Sequence, residues 1–546
     1  MPNTTQNTQS TIHNQPIIEF NNIDLTLPDQ RQLFKNLSLS FTHQTQGLIG
    51  RNGTGKSVFT QLIQNFSLAC LTYDIKGNVN CHVDNIGFFQ QKSNLSPPDK
   101  IKIDDSKNQT IADFLEITPV IDALNKIELG DADEALFQII NDQWTIKAEI
   151  ETKLERAHLP ADVDFLVQNL SGGQKTKLTI LKLFNSNFEF LVLDEPSNHL
   201  DIKGKQWLLE LIQQFKFGIL LISHDRELLR AVDCIYQLTS NGIELFGGNY
   251  DFYFEQNQIQ LNALNHQVNH IQKEIKLQNK NQQKQLEQAE QSQKTGIKNK
   301  HSRSHSKIAY DTKKESAQST NRQRTKQTDL LNDDLKTKLD DAKQQISRYD
   351  TQALVLDQQN TNGKQVLFIE DLILPYVNKT VNLSLNNNEK LLISGENGSG
   401  KSTLLSLIYN SNKYEHIHCN KKVVTLDQHY SLLDQNLNAL DNLSIWLTEH
   451  SHDNLRTLLA NIGLRRDRVF LPCHALSGGE QLKLAWLCVS TQTDCLLLLD
   501  EPDNHLDIES KILLQNCLKE YNSCFILVSH DEEFVNAVGI TKIINL

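Results

Sequence analysis

The sequence predicts an α/β fold built as a tandem, two phosphate-binding-loop domains joined by an antiparallel α-helical coiled-coil linker. Three observations carry this. Gly50–Ser57 (GRNGTGKS) and Gly395–Ser402 (GENGSGKS) both match G-x-x-x-x-G-K-[ST] directly after a short apolar run, the strand-then-helix setting the motif requires. The elements that follow each loop recur in the same order and spacing. Between the two copies lies a stretch with apolar heptad seams on either side of a basic centre.

Taken in order, residues 1–15 (MPNTTQNTQSTIHNQ) lack the basic start and apolar core of a signal peptide and read as a disordered polar tail. The first domain, 16–254, carries its loop and then Leu170–Lys175 (LSGGQK), Phe190–Pro196 (FLVLDEP), Asn198–Asp201 (NHLD) and Ser223–Asp225 (SHD). The second domain, 351–546, repeats them as Leu476–Gln481 (LSGGEQ), Leu496–Pro502 (LLLLDEP), Asn504–Asp507 (NHLD) and Ser529–Asp531 (SHD). Serine to aspartate spans 23 residues in both copies (171 to 194, 477 to 500), and aspartate to histidine spans 30 (194 to 224, 500 to 530). Loop lysine to serine differs, 115 residues in the first copy (56 to 171) against 76 in the second (401 to 477). Most of the surplus follows Gln91, so about 30 extra residues within 93–160 predict a short helical arm, with helices over Ile111–Ile127 and Ala132–Leu154.

The linker, 255–350, predicts two helices packed against each other. Leu261, Leu264, Val268, Ile271 and Ile275 step by 3 and 4, and Leu335, Leu339, Ala342 and Ile346 answer with 4, 3 and 4. A helix from about Asn257 to Lys294 would reach roughly 55 Å. The tip, Lys294–Lys326, holds ten Lys/Arg against two Asp/Glu, a net +8 in a chain of formal charge -12. So basic a patch on so acidic a body points to a polyanion partner, nucleic acid above all.

Composition excludes other classes. No run approaches 18 apolar residues, so no membrane-spanning helix and no membrane partner is predicted. Nine cysteines lie scattered without a C-x-x-C pair, most of them in apolar runs, as Cys488, Cys495 and Cys524 are. That is the usage of a reducing, cytoplasmic setting with buried thiols.

Paired loop, signature, Asp-Glu and histidine elements resemble the ATP-binding cassette superfamily. Two cassettes in one chain, each with Asn-His-Leu-Asp after its Asp-Glu-Pro and joined by a basic helical linker, resemble more narrowly its ABC-F members, ribosome-associated ATPases. The resemblance implies tandem ABC-type P-loop ATPase domains that hydrolyse ATP with magnesium. Glycine-rich loops offer backbone N–H groups and a helix N-terminus to phosphates. On that footing Gly50, Asn52, Gly53, Gly55, Lys56 and Ser57 bind nucleotide in one copy, and Gly395, Asn397, Gly398, Gly400, Lys401 and Ser402 in the other. Ser57 with Asp194, and Ser402 with Asp500, are the expected magnesium holders. Glu195 and Glu501 are the expected bases, His224 and His530 the switch histidines, and Gln91 and Gln428 complete the metal and water shell. The resemblance further implies composite sites in which Ser477, Gly478 and Gly479 face Lys56, while Ser171, Gly172 and Gly173 face Lys401. Departures are few: Val58 follows GKS where threonine is usual, Ser197 and Asp503 stand where threonine is usual, and in the first copy Leu27 occupies the place of the aromatic that stacks on adenine, with Phe34 as a substitute, while Tyr376 is the candidate in the second.

The resulting expectation is a monomer whose paired cassettes clamp on ATP and act on the ribosome, Lys294–Lys326 meeting tRNA or ribosomal RNA as in a translation factor. An antibiotic-resistance ribosomal protection protein is the alternative within that class. A transporter's ATPase subunit or a DNA-repair cassette protein is the alternative outside it.

Overall fold

The computed structural model describes residues 16–90, 108–198, 200–239, 242–300, 330, 333–342, 364–375, 377, 379–396, 398–427, 429–448, 450–464, 466–492 and 495–546. The chain divides into two compact units, Met1–Phe252 with Thr351–Leu546, and Tyr253–Asp350.

In the first unit each cassette pairs a mainly parallel sheet with a small antiparallel one. The first cassette runs β1 Ile18–Thr26, β2 Gln32–Phe41, β3 Thr45–Gly50, β4 Asp74–Cys81, β5 Ile86–Gln90, β6 Phe190–Asp194, β7 Gly218–Ile222, β8 Cys234–Thr239 and β9 Gly242–Phe246. Its large sheet has the order β5-β6-β7-β3-β8-β9, parallel except for β9, and its small sheet the order β2-β1-β4. The second cassette runs β10 Gln365–Ile373, β11 Thr380–Asn386, β12 Lys390–Ser394, β13 Ile417–Cys419, β14 Lys422–Asp427, β15 Cys495–Asp500, β16 Phe525–Val528 and β17 Lys542–Asn545. Here the orders are β14-β15-β16-β12-β17 and β11-β10-β13. The central strands are apolar up to a terminal aspartate, FLVLD and CLLLLD, because both faces of a parallel sheet are covered.

Register fixes the chemistry. Asp194 pairs with Ile222 and Leu48 with Ile222, so the loop after β3, the acid after β6 and the histidine after β7 leave the sheet at one edge. Asp500 opposite Val528 and Leu392 opposite Leu527 repeat this. Ligands of open α/β sheets gather at the carboxyl ends of such strands. Between the two sheets of the first cassette the core is aromatic, with Phe20 stacked on Phe59 at 4.6 Å and Phe34 and Phe41 edge-on to the same ring. In the second cassette Leu383, Leu404, Leu498 and Ile526 fill that place.

The arm differs from its expectation. Two long helices were predicted; four short ones occur, Ile111–Phe114, Thr118–Glu128, Glu134–Ile140 and Ile146–Arg156. Glu116 at φ 62° breaks the first, and Pro119 then sits in the opening turn of the next helix, where its missing N–H costs nothing. Asn141 and Asp142, at φ 42° and 63°, break the second, a conformation that Asn and Asp tolerate. Ala123, Leu136 and Ile140 give the arm a small core of its own.

In the second unit the linker helix runs further than expected at both ends, as part of Tyr250–Lys300. Val268 and Ile271 are buried on it, as is Ala342 on the helical residues 333–342. The charge of Glu274 is felt at exposed Lys338, after that of its own neighbour Asp334. Beyond Lys300 the basic tip lies outside the described residues, as does Ile346.

Candidate nucleotide site between the cassettes

Both loops close in the same way. Gly55 and Gly400 adopt φ near 100° and end the loop as N-caps of Lys56–Gln64 and Lys401–Tyr409. A Cβ at Gly55 would press on the Leu33 side chain at 2.7 Å, and the left-handed φ disfavours any residue but glycine there. Lys401 Nζ donates to the Gly395 and Glu396 carbonyls at 2.8 and 2.9 Å. Lys56 Nζ donates to the Gly50 carbonyl and, at 2.8 Å, to His224 Nε2. Ser402 donates to Asp500 at 3.4 Å.

The two glutamates share an unusual backbone. Glu195 and Glu501 sit at φ 49° and 47°, in the left-handed region, each pinned by its N–H to the carbonyl of Ile222 or Val528. Non-glycine residues held there cluster at functional sites. Burial raises the Glu195 carboxyl to near neutrality, opposed by Lys56; Glu501 is raised by burial, then by Asp500 and Asp503. Asp194 is pushed up to about 6 by burial against the pull of Lys56. His224 and His530 lie 3.7 and 3.6 Å from these carboxylates, too far for a hydrogen bond. Nor are these ion pairs: burial, then Lys56, drives His224 well below the ordinary histidine range, and burial, then Lys401, takes His530 down to about 4. Both rings are neutral at pH 7.

Ser171 and Ser477 begin the helices Gly172–Asn185 and Gly478–Ser490 with full capping boxes, Gln174 and Glu480 returning the bond. The signature is therefore a capped helix N-terminus, an anion-seeking end. It faces the opposite loop. A Cβ at Gly478 would lie 3.6 Å from Asn52 Nδ2, whose backbone N–H donates to Asp507 and whose amide donates to the His505 carbonyl. Ser171, Gly172 and Gly173 line one cavity of about 430 Å³ with Gly398, and the walls of that cavity include Glu195, Glu501, His224 and His530.

Further contacts tie the seam. Arg51 pairs with Glu509, Lys203 with Glu396 at 2.7 Å, and Arg226 with Gln515 and Glu533 at 3.0 and 3.4 Å. Arg230 joins Glu533 to Asp251, the latter in the first turn of Tyr250–Lys300.

Gln91, Gln428 and Asn397 lie outside the described residues, as does Tyr376. Phe34 cannot stack on a base, since it is 2% exposed and holds its ring against Phe59 in the core. Leu27 is only partly buried against that core. Asn504 was read as part of its NHLD motif but given no role, and its amide holds Glu501; Arg51, Lys203, Lys205, Glu509 and Lys511 were missed, because none of them stands at a position that a motif specifies.

The donor set suits a nucleoside triphosphate with a hard cation. Among the described residues Glu195 Oε1, His224 Nδ1, His530 Nε2 and Ser399 Oγ are buried without a hydrogen-bond partner, and such atoms call for a polar ligand. Lys56 and Lys401, at the N-termini of their helices, and the Ser402–Asp500 pair stand with them.

Comparison with known proteins agrees. The family profile described as ABC transporter matches residues 34–198 and 378–504, each once per cassette. The chain is 27% identical to the energy-dependent translational throttle protein EttA of Escherichia coli (strain K12), over 94% of this chain and 89% of that protein. It is 26% identical to the ribosome protection protein VmlR of Bacillus subtilis (strain 168), over 97% and 86%. Among solved structures it resembles the archaeal ribosome recycling factor aABCE1, crystallised with the ribosomal stalk protein aP1, at TM-score 0.51 and 16% identity over 94% and 86%, a likeness of fold.

Proposed function

Since the chain belongs to the ATP-binding cassette family, the ABC transporter family by its profile, and within it to the F branch, we propose that this ATPase is a clamp that closes on two ATP molecules and acts on the ribosome. Among the described residues no helix is long and apolar enough to cross a membrane. The observation that carries the proposal is the crossed arrangement at the seam, Asn52 beside Gly478 and Gly398 in one cavity with Ser171–Gly173.

Each residue then has a task. The loop amides, with Lys56 and Lys401, bind the phosphates, and the opposite signature helix closes over them. Ser57 with Asp194, and Ser402 with Asp500, would hold magnesium, which supplies Lewis-acid polarisation of the outer phosphate when bound. Glu195 and Glu501 take the proton of the attacking water on a carboxylate oxygen, a task that burial eases by raising their basicity. Neutral His224 and His530 orient by hydrogen bonding without adding charge. Contacts across the seam that depend on the phosphates are lost after hydrolysis, so the cassettes part. Arg230, which holds both Glu533 and Asp251, would carry that parting into the first turn of the linker helix.

The ribosome enters through two supports. The tip carries a net +8, and the proteins this chain resembles along nearly all its length include a translational throttle and a ribosome protection protein. The test is co-sedimentation of the Glu195→Gln, Glu501→Gln double variant with ribosomes at low salt. With ATP it is expected in the ribosomal pellet, leaving it steeply as salt rises. Absence from that pellet would end the ribosomal reading.

A further inference from the structure

The Asn-His-Leu-Asp motifs end at Asp201 and Asp507. Four residues on, each cassette carries a lysine on the opening turn of the next helix, Lys205 on Ile202–Gln214 and Lys511 on Ile508–Glu520. Both are buried at the seam, with side chains 13% and 8% exposed, and both line the shared cavity. Lys205 Nζ lies 2.7 Å from Asp225 and Lys511 Nζ 2.8 Å from Asp531. These aspartates directly follow the histidines and accept the first N–H groups of the helices behind them, Asp225 from Glu227 and Leu228, Asp531 from Phe534. Each lysine thus grips the residue that fixes its own histidine's backbone.

Each also acts across the seam. Lys205 Nζ donates to the carbonyl of His530 at 3.4 Å, and Lys511 lines one cavity with Glu195 and His224, where its charge is felt. Burial pulls the pKa of these lysines down, yet Asp225 and Asp531 hold both above the ordinary lysine range. A buried ion pair is costly and is readily outdone by apolar packing. A tie confined to one cassette would need only the near aspartate, whereas Lys205 has a partner on each side.

We propose that Lys205 and Lys511 are positioning residues that couple the two hydrolytic sites, the lysine of one cassette aligning the switch histidine of the other. The proposal rests on the reading of His224, His530, Glu195 and Glu501 given above.

The test isolates one site at a time. In the full chain carrying Glu195→Gln, single-turnover hydrolysis reports the site of Glu501 and His530, which belongs to the cassette opposite Lys205. Adding Lys205→Met is expected to slow that hydrolysis roughly ten-fold, with the ATP concentration for half-saturation changing less than about two-fold, since misplacing a catalytic group costs rate before binding. Lys205→Arg should restore most of the rate. The mirror experiment places Lys511→Met in the Glu501→Gln background. Unchanged residual hydrolysis, or a loss confined to half-saturation, overturns the proposal. If melting curves show that Lys205→Met does not fold, Lys205→Gln carries the same expectation with a smaller loss. Undiminished turnover by Glu195→Gln alone would mean that the base is misassigned, a failure of the underlying reading that takes the coupling down with it.

Discussion

The two cassettes present opposite charges to each other at the rim of the seam and, apart from Ser197 against Asp503, matching residues at its centre. Arg51 and Glu396 occupy the same place in their loops, as Lys203 and Glu509 do in their helices, and the pairs formed are Arg51 with Glu509 and Glu396 with Lys203. The helices after the histidines continue the pattern, RELLR in the first cassette and EEFVN at the matching positions of the second, with Arg226 and Arg230 on Glu533. At the first two places, and at Arg226 against Glu532, the first cassette is basic and the second acidic, while Glu533 matches Glu227 and Arg230 matches Asn536. Inside this rim the lysine loops, Asp-Glu pairs, histidines, Lys205 and Lys511 are common to both. The contrast teaches that the two sets of residues answer different demands. Rim charges choose the partner, since two first cassettes or two second cassettes would meet like to like, and repulsion of wrong partners is how interfaces obtain specificity. Central residues do the chemistry, and that chemistry is the same on both sides.

If the centres are equivalent, neither site is a spare. Replacing Glu195 and Glu501 together by Gln should lower the rate of phosphate release by about 10²-fold or more, the usual worth of a positioned base, while either single variant keeps measurable turnover. One single variant as dead as the double would break the equivalence. The rim makes the next largest difference. Arg226 is nearly buried and serves Gln515 and Glu533 together, so Arg226→Glu should weaken ATP-dependent closure by about 2–5 kcal/mol, read as a loss of compaction in small-angle scattering. Adding Glu533→Arg should recover part of it; no recovery would mean that charge pairing is not what selects the partner.

A pH experiment sharpens the view of the centre. His530 titrates at about 4 in the folded chain against an ordinary 6.5, with burial and then Lys401 as causes. Below pH 6.5 the unfolded chain takes up a proton that the folded one refuses, so stability is lost as pH falls from 6.5 toward 4. Full loss would come to about 3 kcal/mol for this one ring. A His530→Gln variant should show that much less acid sensitivity in denaturant titrations across this window, and an unaltered pH profile would refute the assignment.

How far the sequence could be read follows the same division. Central residues were legible because phosphate chemistry restricts which types can stand at Gly55, Lys56, Asp194 and Glu195, and the repeat supplies each of them twice. The rim was not: Arg51 and Glu396 occupy positions that the loop motif leaves free, and their meaning appears only when Glu509 and Lys203 stand opposite. Lys205 and Lys511 escaped because a lysine four residues past an aspartate on a helix ordinarily reads as solvated. The helical arm was found from spacing alone, but its breaks at Glu116 and Asn141 depend on left-handed residues that apolar periodicity does not register. Phe34 failed as an adenine platform because its neighbours Phe20, Phe41 and Phe59, distant in sequence, draw it into the core.

The smallest expected effect is the one that best separates choice of partner from strength of binding. Lys203 and Glu396 are each more than half exposed, so water screens the pair and Lys203→Ala should hardly alter closure or turnover. Reversal is a different matter. Lys203→Glu with Arg51→Glu would set the first cassette's rim against Glu396 and Glu509, making it resemble the second cassette's face. If rim charge is there to reject wrong partners, this variant should close poorly at low salt, improve as added salt screens the repulsion, and recover when Glu396→Lys and Glu509→Lys are added. Closure that ignores both salt and the compensating reversal would show that shape alone brings the cassettes together, and that the opposite charges of the rim are incidental.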